Sequence, residues 1–246
     1  DKPNTVKNAL SGKYFDIIFD NLAYCSNYVK EILENTVCKK YVQLSSLEVY
    51  SPTKENMSET YFEPNNYPHK WCGKEVGYQE GKRQAEATVF QHFRNIEAVL
   101  VRVPYVTHTD RLYYYCKNIV NQTAMNIDDL ERTICFIQES EVGRFLPWIA
   151  AQDYVGAINL SSTGKIKIGD ILAYIEKKTN LTAIIDTNNG EPSPFHDFNE
   201  KSFFMNMDLA IKLGYCTSSH EEWFWSLMDE YISSYMKHLW MLNQSK

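Results

Sequence analysis

No Gly-x-x-Gly-x-x-Gly turn occurs anywhere in the 246 residues, which hold only 10 glycines. Such turns let a backbone approach a pyrophosphate at a helix N-terminus, so the sequence carries no dinucleotide cradle of that kind. No two cysteines have Cys-x-x-Cys spacing, and no two histidines have His-x-x-x-His spacing. His69 and Cys72 lie close together, but no second pair completes a tetrahedral set, and no metal site is expected. No apolar run approaches the roughly 18 residues of a membrane span. The opening stretch DKPNTVKNALSGK lacks the apolar core of a secretory signal. A basic excess is missing as well: 25 Lys and Arg against 31 Asp and Glu give a net charge of −6, which argues against a nucleic-acid footprint. In a chain this long, the six scattered cysteines read as reduced, mostly buried thiols of a cytoplasmic protein.

What is present is an ordinary globular composition, 44% hydrophobic and 23% charged, in a chain long enough for one large domain or a large and a small lobe. Tyr14–Phe19 (YFDIIF) is a compact apolar run that reads as a buried parallel strand. Ser26 is placed to cap a helix over Tyr28–Glu34, and Tyr41–Leu44 is the next strand. Strand, helix and strand within about thirty residues is the size of a crossover unit in a parallel sheet. Ser51–Lys74, with Pro52, Pro64 and Pro68, reads as a loop with little regular structure. A helix over Gly77–Phe93 follows, then a strand, Glu97–Val103, stopped by Pro104. Beyond it come a helix over Asp110–Val120 capped by Asp110, a strand at Arg132–Ile137, a helix over Asp170–Lys178 and a strand at Ala183–Ile185. The last segment carries apolar residues from Trp223 to Trp240 at helical spacing, a wide face for packing.

The chemistry concentrates between Leu44 and Lys82. Tyr78 and Lys82 stand four residues apart at a helix start, so phenol and ammonium share one face. A nearby cation favours the phenolate and lowers a tyrosine from its usual value of about 10. Such a tyrosine exchanges protons near neutral pH. Ser45 and Ser46 follow the strand at Tyr41–Leu44, where an open α/β sheet presents ligand-binding groups. Gly77 and Gly81 flank the tyrosine; small residues there let a cofactor or a neighbouring element come close, or simply weaken the helix start.

Strand, Ser-Ser-x-x-Val-Tyr, loop, then Tyr-x-x-x-Lys opening a helix: this combination resembles the extended short-chain dehydrogenase/reductase family, which includes sugar-nucleotide epimerases and dehydratases. The resemblance begins at the family's fourth strand and covers nearly the whole chain. It implies an α/β fold, a Rossmann-like parallel sheet whose N-terminal strands are absent from this chain, with a smaller C-terminal α/β substrate lobe. Residues 1–158 would belong to the dinucleotide-binding domain and 159–246 mostly to the lobe and the C-terminal helix, the two interleaved. The implied activity is NAD- or NADP-dependent epimerisation, dehydration or reduction of a sugar nucleotide or a similar hydroxyl or carbonyl substrate. Tyr78 would take the substrate proton, Lys82 would hold the tyrosine acidic and bind the nicotinamide ribose, and Ser46 would bond the same substrate oxygen. Ser46 is preferred to Ser45 because the family's active hydroxyl stands four residues before the tyrosine of the Val-Tyr pair, here Tyr50.

Dehydratases of the family carry Thr-Asp-Glu before that pair. Here Ser46-Leu47-Glu48 keeps the glutamate as a candidate base and replaces the aspartate by leucine; the plainer reading of Glu48 is an exposed carboxylate. Asn21, Ala23 and Pro104 join Tyr78 and Lys82 as candidate cofactor contacts, Pro104 together with Arg102 from an Arg-x-Pro-like strand ending. Arg111 is a phosphate contact or a surface ion pair. Phe145–Ile158 matches a segment that leads into a helix, with Asp153 at its acidic position and Ala150 where histidine is usual. The expected partner is a small molecule, with a homodimer as the candidate assembly. Choosing NAD over NADP needs the residue that reads the ribose 2′ position, which the resemblance places before this chain's first strand. The alternative is a non-catalytic binding or regulatory protein on the same fold.

Overall fold

The computed structural model describes residues 5–107, 110–195 and 202–244. Helix α1 (Thr5–Leu10) precedes β1 (Lys13–Asp20), which turns into α2 (Ser26–Leu33) before β2 (Thr36–Ser46) returns beside it. A long connection, shaped by single 3-10 turns such as Leu47–Tyr50, leads to α3 (Tyr78–His92) and β3 (Glu97–Val103). The second half holds α4 (Asp110–Val120), α5 (Glu139–Ala150), β4 (Gly156–Asn159), α6 (Ile168–Thr179), α7 (Asp208–Lys212) and α8 (His220–Gln244). The four strands pair in the order β1-β2-β3-β4, all parallel.

Parallel neighbours need crossovers, and crossover helices cover both faces of the sheet. Successive strand residues therefore enter different cores. Tyr41, Ala98 and Leu100 pack with Val29, Leu33, Ala85 and Val89 beneath α2 and α3. Val42, Val99 and Val101 pack with Val142, Phe145 and Ile149 of α5. A third core joins α4, α6 and α8 through Leu112, Ile119, Ile171, Ile175, Phe224 and Leu227, and it draws in Leu47, Val49, Tyr50 and Met57 from the connection after β2. The chain leaving β2 is thus gripped by the second half of the molecule, which sets where the end of that strand faces.

Several expectations are corrected. β1 is a strand, but it is not buried: Tyr14, Ile17 and Phe19 are 61%, 38% and 44% exposed. It lies at the outer edge of the sheet among the described residues, and Phe15 and Ile18 lean on the α2/α3 core. An apolar run identifies a strand without saying what covers it. Ser26 is not the helix cap; Cys25 holds that position. The Ser26 hydroxyl instead donates to the Lys70 carbonyl at 3.0 Å and accepts the Cys72 N–H at 2.7 Å, pinning the long connection to α2.

β2 runs through both serines rather than stopping before them. The strand at Arg132–Ile137 is two short pieces, Thr133–Ile134 and Phe136–Ile137. Ala183–Ile185 forms only an isolated bridge from Ile185 to Met125. Phe145–Ala150 completes α5 and Gly156–Asn159 is β4, so the helix precedes this segment's strand. The cap expected of Asp110 and the packing expected of Leu239 and Trp240 fall on side chains outside the described ones.

Candidate active site

Both serines line a cavity of about 510 Å³, but the Ser45 Oγ is engaged, donating to Glu86 Oε1 in the interior at 2.5 Å. This cavity lies past the carboxyl ends of β1, β2 and β3, the ligand-binding end of an open parallel sheet. Asn21 and Tyr24 reach it from the turn after β1, Tyr78 and Lys82 from α3, Pro104 and Tyr105 from the end of β3, and Arg111 from α4. Ser46 Oγ also accepts the Glu48 N–H at 3.2 Å, which closes the Leu47–Tyr50 turn and places Glu48 on the cavity wall. Of the residues singled out from the sequence, Ser46, Glu48, Tyr78, Lys82, Asn21, Pro104 and Arg111 come together.

Ala23 does not join them: it is fully buried in the α2/α3 core. Arg102 faces away into the protein. Its guanidinium meets Glu86 Oε2 at 2.6 Å, the Tyr50 hydroxyl at 3.1 Å, and the carbonyls of Glu59 at 2.8 Å and Phe62 at 3.0 Å. Tyr50 in turn donates to Asn159 Oδ1. The arginine therefore ties the connection after β2 to α3. Arg111 lies over the Tyr105 ring, 4.8 Å from its centroid. Asp153 is exposed.

Tyr24 and Tyr105 were not anticipated. Tyr24 sits among the residues at the end of β1 where cofactor contacts were sought, and its ring stands 5.0 Å from Lys82 Nζ and 6.1 Å from the Tyr78 ring. No periodicity marks a turn residue as a cavity wall.

The close approach of that turn explains Gly81. A Cβ there would fall 2.3 Å from the Tyr24 carbonyl oxygen. Gly77, at φ +82° just before α3, meets a backbone demand instead. Gly81→Ala is expected to force α3 from the β1 turn and to lower stability by about 1–3 kcal/mol, the range for overpacking. An unchanged melting temperature in thermal unfolding would contradict the contact.

Lys82 is 2% exposed, and its Nζ donates to the Leu44 carbonyl at 2.9 Å. Burial pushes it down to about 8, opposed by the carboxylates of Asp20 and Glu86. The expected lowering of Tyr78 is not what the structure shows. Its phenol is raised, chiefly because the cavity walls strip water from it; the Ser46 hydroxyl pulls it back, Glu48 and Tyr24 push it up, and Arg111 pulls it down. Lys82 Nζ is 5.7 Å from the Tyr78 ring centroid and donates to a backbone carbonyl, and it is not among the groups that move the phenol. Among the described residues no three His, Cys, Asp or Glu side chains gather as a metal site, and no helix is long and apolar enough to cross a membrane.

No protein-family model and no curated protein sequence matches the chain. Solved structures do. MoeE5 in complex with UDP-glucose and NAD shares 14% identity with a TM-score of 0.67, over 94% of this chain and 83% of that one. UDP-glucuronic acid 4-epimerase from Bacillus cereus, in complex with NAD, shares 17% identity with a TM-score of 0.61, over 86% of this chain and 66% of that one. UDP-glucose 4-epimerase from Thermotoga maritima shares 12% identity with a TM-score of 0.65, over 90% of this chain and 78% of that one. The chain therefore has the Rossmann-like fold of these structures and spans about two thirds to four fifths of their length.

Proposed function

We propose that this chain is of the extended short-chain dehydrogenase/reductase type and carries the catalytic wall of an NAD- or NADP-dependent enzyme acting on a nucleotide-linked sugar. The observation that carries the reading is the meeting of Ser46, Tyr78 and Lys82 at one cavity beyond the strand ends. The likeness to structures solved with NAD and UDP-sugars supports it.

The residues present suit the nicotinamide end of a dinucleotide. Lys82 offers an ammonium for ribose hydroxyls, and Asn21 and Pro104 form a wall beside it. The pyrophosphate cradle is another matter: glycines with positive φ, among them Gly12, Gly77 and Gly156, fall singly and form no glycine-rich turn. When bound, the dinucleotide supplies a hydride acceptor that also returns the hydride. Tyr78 takes the proton of the sugar hydroxyl as its carbon is oxidised and gives one back when the carbonyl is reduced. Ser46 holds the same oxygen by a hydrogen bond. Lys82 lowers the cost of a phenolate beside it.

Glu48, on the cavity wall, would be the base for a proton on a carbon next to that carbonyl. Leu47, however, is buried and apolar and supplies no companion acid. Epimerisation needs no such acid, so epimerisation is the reaction this set suits best. Calorimetric titration of the intact protein with NAD and with NADP is expected to show binding of one or both below about 1 mM, a free energy of about −4 kcal/mol or better. Absence of binding by either at that concentration removes the enzyme reading and leaves a binding protein on the same fold.

A further inference from the structure

The turn after β1 carries an aromatic ring that the hydride-transfer mechanism does not use. Its backbone is closely held. Asp20 Oδ1 accepts the Leu22 N–H at 2.8 Å, and the Leu22 carbonyl accepts the Tyr24 N–H at 2.7 Å. The Tyr24 carbonyl presses on α3 at Gly81, where a Cβ would fall 2.3 Å from its oxygen. Ala23 and Cys25 on either side are fully buried, while Tyr24 lines the cavity.

Lys82 follows Gly81 directly and is 2% exposed. Among the described residues its Nζ has one hydrogen-bond acceptor, the Leu44 carbonyl at 2.9 Å, and no carboxylate oxygen lies within 4.0 Å of it. Asp20 and Glu86 act on it from further off. The first is engaged by the Tyr41 hydroxyl and the Leu22 amide, the second by the Arg102 guanidinium. The near surroundings are aromatic: the Tyr24 ring centroid at 5.0 Å and the Tyr78 centroid at 5.7 Å. A buried ammonium with a single acceptor is costly. The negative face of a ring within about 6 Å is worth most to a cation stripped of water.

We propose that Tyr24 is a positioning residue for Lys82: its ring face, together with the Leu44 carbonyl, seats the ammonium in the cavity beside Tyr78. The role rests on the reading of Lys82 as the cation of the reaction, and Tyr24 acts through that lysine. Lys74 Nζ also approaches the Tyr24 ring, at 4.9 Å, but Lys74 is exposed and lies 5.2 Å from the Tyr28 ring as well, so water and a second ring share its charge. Glu48 and Arg111 stand on the walls of the same cavity.

The test is a carbon-13 NMR titration of protein labelled at lysine Cε, with Lys82→Arg used only to identify the lysine signal. In the wild type Lys82 is expected to titrate at about 8, and Tyr24→Phe, which keeps the ring face, is expected to leave that midpoint in place. Phenylalanine carrying one, two and then three fluorines at position 24 nearly keeps the ring's size while draining its negative face. The Lys82 midpoint is expected to fall stepwise through this series, by about 0.5–1.5 pH units in all. A midpoint that stays put across the folded series overturns the assignment, because a ring that only fills space is indifferent to its own charge distribution. So does Tyr24→Phe lowering the midpoint as far as the most fluorinated ring, which would put the effect in the hydroxyl. In the wild type, cross-relaxation between the Lys82 ε-methylene protons and the Tyr24 ring is expected; its absence overturns the seat whether or not the variants fold. None of these readouts involves turnover, so failure here leaves the enzyme reading untouched, and loss of that reading does not move the lysine from the ring.

Discussion

Tyr78→Phe is expected to lower kcat by about 10²- to 10⁴-fold, the usual contribution of a positioned acid–base group, with little change in cofactor affinity. The hydroxyl is the only atom removed, and the ring keeps its contact with Tyr24, 6.1 Å away between centroids. Tyr78 is 47% exposed at the cavity mouth, and the buried Ser46 hydroxyl, which loses the phenol as a partner, keeps the Glu48 N–H. Steady-state rates and a parallel NAD titration check this. Turnover within threefold of wild type would remove Tyr78 from its role.

The same site predicts a pH dependence. Activity that needs the Lys82 ammonium is expected to fall as pH rises through about 8, where the buried lysine loses its proton. Stability moves the opposite way in that interval. Between about 8 and the ordinary lysine value near 10.5 the unfolded chain binds the extra proton, so this lysine's unfavourable contribution to folding shrinks as pH rises. Loss of activity without loss of fold above pH 8 is the expected signature.

Glu86→Ala is expected to be the most damaging single change to stability, at about 3–5 kcal/mol, because it leaves a buried guanidinium without its anion. Arg102 and Glu86 are both fully buried. Three more partners depend on Arg102: the Tyr50 hydroxyl and the carbonyls of Glu59 and Phe62. Ser45 loses its acceptor as well. Guanidinium-induced unfolding measures the loss; a decrease below about 1 kcal/mol would show that water or another acceptor replaces the carboxylate. Replacing the exposed Glu55, paired at 3.6 Å with the exposed Lys165, should cost far less, as surface pairs do.

The strands and helices were legible because their signals are local. YFDIIF and EAVLVRV are apolar runs of strand length, and both lie within strands, at Lys13–Asp20 and Glu97–Val103. Tyr-x-x-x-Lys places two side chains on one helix face by backbone geometry alone. The preference for Ser46 over Ser45 came from the resemblance; both serines line the cavity, and the Ser45 hydroxyl is bound to Glu86. Tyr24 and Tyr105 were missed because each becomes meaningful only through a neighbour distant in the chain. Ala23 was misplaced because being near the end of a strand does not say which way a turn residue points.

By itself, then, the order of residues determined an α/β chain with parallel strands, and it marked one serine, one tyrosine and one lysine. Those features depend on spacing along a strand or a helix, which every local segment carries with it. Tertiary structure decided the rest. It left β1 exposed at the sheet edge and turned Arg102 into the interior against Glu86. It raised the Tyr78 phenol where spacing implied the reverse, and by burial it pushed the Lys82 ammonium down to about 8. Water exclusion and countercharge belong to the packed assembly of several segments, and no stretch of sequence carries them alone.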